Sequence, residues 1–199
     1  MITRREELIS KSLDYFLRQG VAGLSLRPLA EEIGTSARMV VYHFGSKDGL
    51  ITAVMDEVQT RIQEAFAGIV AGTEKKPAAH AMSAFWAWMI DASHIRYIQL
   101  LLEVQVLAIQ NPAKYARYMQ RTSSSWLNII EPSLPSSKEK RAVATLCAAV
   151  MDGLLIEYLS TGDRRRTTKA LKVFTYLMKD GAGVSENQGN KHRSKRAQS

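Results

Sequence analysis

Apolar residues recur at spacings of three and four along almost the whole chain, and the strict alternation of a half-buried strand is missing. This pattern predicts an all-α fold of about nine helices in total. The first, over about 3–19, places Leu8, Ile9, Leu13, Phe16 and Leu17 on one face and stops at Gly20, a residue suited to a left-handed C-terminal position. Two short helices follow. A long helix from Lys47 to about Val70 then carries Leu50, Ile51, Val54, Val58, Ile62 and Phe66 on one side, long enough to bridge two domains. Further helices are predicted over 78–92, 95–109, 112–130, 137–159 and 165–179, with Asn111-Pro112 as a start signal and Pro132 and Pro135 marking a loop.

Gly72, Thr73, Lys75 and Lys76 break the pattern, and Pro77 suits the first turn of the next helix. The expected organisation is an N-terminal three-helix domain over 1–60, a helical domain over 61–180, and a disordered basic tail over 181–199 rich in Gly, Ser, Asn, Gln and Lys.

The charge is +8, from 27 Lys and Arg against 19 Asp and Glu in 199 residues, which favours a polyanionic partner without identifying it. Part of the excess lies in Arg164, Arg165, Arg166, Lys169 and Lys172 and in the tail, where a solvated face or end is the ordinary explanation. The single cysteine, Cys147, sits in an apolar run and permits no disulfide within the chain, which fits a reducing cytoplasm. No apolar segment of signal type follows Met1. No uninterrupted apolar stretch approaches the roughly 20 residues of a membrane span, because Asp152 and Glu157 interrupt 142–159. There is no phosphate-binding glycine loop, no nucleophile elbow and no His or Cys pair at metal spacing, so neither an enzyme, a cofactor nor a metal site is expected; His80 and His94 read as surface or capping residues.

The informative stretch is 25–44. Ser25 can cap a helix whose first turn tolerates Pro28; Leu29 and Ile33 face inward; Ala30 is small where a second helix must cross; and Gly34 supplies the positive φ that ends the helix. Ser36 then caps a second helix that turns Val40 inward and leaves Ala37, Arg38 and Met39 at its exposed N-terminal end, the arrangement of a helix-turn-helix. Helix pairs with a glycine turn also occur in proteins that never touch DNA.

The flank His43-Phe44-Gly45-Ser46-Lys47-Asp48-Gly49-Leu50 resembles the His-Phe-x-x-Lys-x-x-Leu signature of the tetracycline repressor (TetR) family, and Ala30 to Gly34 with the Ser36 cap matches the same family in order and spacing. Asp152-Gly153-Leu154 is similar to a segment of its penultimate helix. The resemblance implies phosphate contacts from Ser25 and Arg27, base contacts from Ala37, Arg38 and Met39, backbone contacts from Tyr42, His43 and Lys47, and a place for the capping Ser36 in the same DNA-binding set. Two departures stand out: Val41 where the family commonly has Tyr, and Arg38 where it commonly has Gly.

The resemblance further implies a ligand-responsive homodimeric repressor bound to near-palindromic double-stranded operator DNA and released by a small apolar or amphipathic effector. Its dimer interface would use Val150, Leu154, Tyr158, Leu171, Phe174 and Met178. Its effector pocket would draw on Phe85, Trp86, Met89, Tyr97, Leu101, Glu103 and Trp126, which ordinary core packing explains equally well. A helical ligand-binding or interaction protein without a DNA role is the competing reading, distinguished by whether the second short helix presents an electropositive, solvent-facing end.

Overall fold

The computed structural model describes residues 2–72 and 78–178; the tail expected over 181–199 lies outside them. Every regular element among the described residues is helical. In chain order they are α1 (Arg4–Gln19), α2 (Leu26–Glu32), α3 (Ala37–Phe44), α4 (Lys47–Ala71), α5 (Ala78–Met89), α6 (Ile95–Gln110), α7 (Pro112–Ile130), a 3₁₀ turn (Glu131–Ser133), α8 (Lys140–Thr161) and α9 (164–178).

The helix ends follow from short-range chemistry. Thr3 is the N-cap of α1: its hydroxyl accepts from the Glu6 amide at 3.2 Å, and the Glu6 carboxylate accepts from the Thr3 amide at 2.7 Å, a complete capping box. Gly34 ends α2 at φ +71°, where the Thr35 amide donates to the Ala30 carbonyl at 2.8 Å and the Gly34 amide to the Glu31 carbonyl at 3.3 Å. This is a Schellman closure, and it turns the chain sharply into α3. Helix α5 stops at Met89, short of the expected residue 92, because the Asp91 carboxylate takes both the Ser93 amide (2.9 Å) and the Ser93 hydroxyl (2.5 Å) and folds the chain into a turn.

One contiguous apolar core runs from Leu8 in α1 to Leu171 in α9. Helix α4 threads it. Leu50, Ile51, Val54, Met55 and Val58 are buried toward its start, and Ile62 and Phe66 toward its end, each worth roughly 1.5–3 kcal/mol by burial. The division expected near residue 60 therefore falls within a continuous helix.

Helix α8 is long and apolar. Over its 22 residues an 18-residue window has mean hydropathy 1.7, so by length and composition it could cross a membrane despite Asp152 and Glu157. Only 22% of that window is buried within the protomer. Leu146 (48% exposed) and Ile156 on α8, with Val173, Tyr176 (64% exposed) and Leu177 on α9, form an uncovered apolar surface. Leu171 is not part of it: at 1% exposed it packs in the protomer's own core, on the opposite side of α9 from Val173 and Tyr176. Val150, Leu154, Tyr158, Phe174 and Met178 are half-buried at the edges.

Candidate nucleic-acid interface and the cavity behind it

Helix α3 is short, and its orientation is set at both ends. At its start the Ser36 hydroxyl accepts from the Met39 amide at 3.2 Å, and Val40 is fully buried beneath. At its end Gly45 has φ +76° and its amide donates to the Val41 carbonyl at 2.7 Å. Ser46 then caps α4 by accepting from the Gly49 amide at 2.9 Å. Gly49 is the contact that sequence reasoning passed over: a Cβ there would stand 2.0 Å from the Phe44 carbonyl oxygen. The signal was available, since glycine is a poor residue for the first turn of a long helix unless something presses on it.

Arg38, Met39, Val41 and Tyr42 are exposed on the outer face of α3, with Tyr42 at 78%. Ala37 is half-buried and Ser36 exposed but used as cap. Ser25 occupies the N-cap position of α2, yet its hydroxyl makes no capping bond. Arg27 is exposed nearby. The Lys47 ammonium donates to the Leu24 carbonyl at 3.2 Å, which brings a cation next to Ser25 from 22 residues along the chain. His43 is half-buried: its Nε2 is enclosed in protein with no hydrogen-bond partner, and the Tyr42 ring stands edge-on to it at 5.2 Å. That nitrogen faces away from solvent. Phe44 is half-buried with the Arg5 guanidinium over its ring at 5.2 Å.

Behind this surface lies a cavity of about 370 Å³ between α4, α5, α6, α7 and α8. Phe85, Met89, Leu101 and Trp126 line it as expected. Trp86, Tyr97 and Glu103 do not. Trp86 is buried elsewhere, with its indole N–H donating to the Thr168 hydroxyl at 3.0 Å. Glu103 turns to the other side of α6, where its carboxylate accepts from the Val21 amide at 2.8 Å and presses on Gly20, whose Cβ would lie 2.7 Å from it. Gln59, Ile62 and Phe66 from α4, Tyr118 from α7 and Asp152 from α8 complete what sequence reasoning missed. Asp152 was visible as an acid interrupting an apolar helix; the others carry no local signal.

Helix α7 grips α4 along its length. The Tyr115 hydroxyl donates to Asp48 at 2.8 Å, Lys114 lies 3.4 Å from the same carboxylate, Arg121 pairs with Asp56 at 2.6 Å, and the Trp126 indole N–H donates to Gln59 at 2.8 Å. Burial pushes the Asp48 carboxyl up, but the Tyr115 and Lys114 hydrogen bonds outweigh it and hold it below its ordinary value. A depressed carboxyl contributes stability above its unfolded pKa and loses it as pH falls through the folded one. Tyr115→Phe is therefore expected to cost about 0.5–1.5 kcal/mol at pH 7 and progressively less as pH falls through the depressed Asp48 pKa, measured by urea unfolding from neutral into acid pH.

Residues 8–54 match the family model described as bacterial regulatory proteins, tetR family. Over its greater length the chain is similar to the nicotine-responsive HTH-type transcriptional repressor HdnoR of Paenarthrobacter nicotinovorans, at 29% identity across 80% of this chain and 85% of the relative. It is also similar to the HTH-type transcriptional regulator BetI of Stenotrophomonas maltophilia, at 26% identity across 85% and 88%. Among solved structures, a transcriptional regulator from Rhodococcus sp. Rha1 superposes with TM-score 0.73 at 20% identity, covering 90% of this chain and 97% of that one. The multidrug binding protein EbrR, solved with imidazole, gives 0.67 at 22% identity, covering 87% and 89%.

Proposed function

We propose that the chain is a transcriptional regulator of the tetR family, whose model matches residues 8–54, rather than an enzyme, and that it is a homodimeric repressor released from operator DNA by a small molecule. The observation that carries this reading is the course of α4. Its first turn carries the Ser46 and Gly49 contacts that fix α3, and its last three turns put Ile62 and Phe66 into the cavity wall. A ligand that displaces the wall moves the helix on which α3 is mounted. Linkage then requires operator DNA to weaken ligand binding by the same factor.

In this reading Arg38 and Met39, exposed toward the start of α3, face the groove with Arg38 pairing with guanine, and Ser25, Arg27, Tyr42 and Lys47 hold the phosphates beside it. His43 supports them from beneath. The exposed apolar strip of Leu146, Ile156, Val173, Tyr176 and Leu177 is the surface a second copy covers, which sets two α3 helices about one turn of DNA apart. A reducing, DNA-containing compartment such as the cytoplasm suits both the partner and Cys147.

Selection of bound duplexes from a random library tests the reading. The expected product is a near-palindrome with half-sites about 10 base pairs apart. Arg38→Ala is expected to cost about 1–3 kcal/mol on that sequence and little on random DNA. No enrichment over input, or equal losses on both DNAs, would remove the DNA role or reassign Arg38 to phosphate, respectively.

A further inference from the structure

The cavity wall has one charged feature that core packing does not explain. Asp152 is the one charged residue among the described residues that line it. It has no ion-pair partner among them; it is solvent-exposed in the protomer and stands beside Gln105 of α6. Tyr118, 5% exposed, brings to the same wall a buried hydroxyl beside Gln59 and Thr122. The wall is otherwise largely apolar and aromatic, with Ser123 and Thr145 among its neutral polar side chains. Phe66, Phe85 and Trp126 stand within 4.8–6.0 Å of one another, ring centroid to centroid. The Trp126 indole N–H is already committed to Gln59, so this ring offers the ligand its π system and not a donor.

Resting on the effector-site reading above, we propose that the cavity takes an organic cation with an apolar body, its charge held by Asp152 and its apolar part set among Phe66, Phe85 and Trp126. An anionic ligand would meet a like charge with no base in the lining to compensate. A neutral ligand would strip water from the carboxylate and return nothing. A cation returns the lost hydration as a charge-assisted contact, and aromatic rings are the apolar surface that a soft cation tolerates best. The nearest cation on the α7 wall does not compete, because Arg121 is held by Asp56 at 2.6 and 2.9 Å.

The test is calorimetric titration of the full chain with benzyltrimethylammonium and with its neutral carbon isostere, neopentylbenzene. The cation is expected to bind at least roughly tenfold more tightly, and Asp152→Asn to weaken it by roughly 10- to 100-fold while leaving the isostere within about twofold. The isostere thus reports that the variant still folds and still has its cavity. Equal binding of the two probes to the parent protein, or an unchanged cation affinity in Asp152→Asn, overturns the cation assignment and leaves an apolar effector site standing. Binding of neither probe at millimolar concentration overturns the effector site as well.

Discussion

Gly49→Ala is expected to destabilise the protein by about 3 kcal/mol and to abolish operator binding, although alanine is ordinarily the better helix residue by about 0.5–1 kcal/mol. The sign reverses because the added methyl would stand 2.0 Å from the Phe44 carbonyl oxygen and 3.2 Å from its carbon. Both belong to backbone, so no side-chain rotation relieves the overlap. The carbonyl is the last of α3, and to withdraw it α3 must swing away from α4. That movement breaks the Ser46 cap at 2.9 Å and lifts Val40 from its fully buried seat.

Gly68 supplies the control within the same helix. It is exposed, and a Cβ there meets nothing within 4 Å. Gly68→Ala is therefore expected to stabilise by about 0.5–1 kcal/mol and to leave DNA binding intact. Urea unfolding of both variants with operator titration reads the two effects together. A Gly49→Ala protein as stable as Gly68→Ala would show that the junction between α3 and α4 is not fixed by this close approach.

The contrast between those glycines also shows where sequence reasoning succeeded. Caps and turns are local: Thr3 with Glu6, Gly34 with Thr35 and Ser36 with Met39 act within a few residues, and each boundary from α1 to α4 was readable from them. Side-chain direction on a helix that is apolar around most of its circumference is not local. In α6, Leu100 enters the core, Leu101, Leu102 and Val104 face the cavity, and Glu103 leaves toward α1. Five consecutive residues thus serve three neighbours, and periodicity assigns none of them. In α9 the same limit exchanged faces. Leu171 and Tyr176 are both apolar at helical spacing, but only tertiary packing decides that the first is covered by its own chain and the second left exposed.

Glu103, expected in the cavity and found outside it, carries the second large effect. Its carboxylate is the acceptor for the amide of Val21, a residue only 2% exposed, and it reaches that amide because Gly20 has no side chain in the way. Glu103→Ala leaves a buried N–H without a partner and is expected to cost about 1–3 kcal/mol, whereas Glu103→Gln keeps an acceptor oxygen and costs under about 1. The consequence for regulation is larger than the stability change. Glu103 lies between Leu102 and Val104, which line the cavity, and bonds to the segment joining α1 to α2, so it is a second connection from ligand to DNA-binding helices, independent of α4. In Glu103→Ala, amide exchange at Val21 is expected to accelerate, and the ratio of operator affinities with and without benzyltrimethylammonium to fall toward one. Accelerated exchange with an unchanged ratio would make Glu103 a structural strut only. An unchanged ratio would also leave α4, anchored at Gly49 and ending at the cavity, as the single path by which the ligand reaches the DNA.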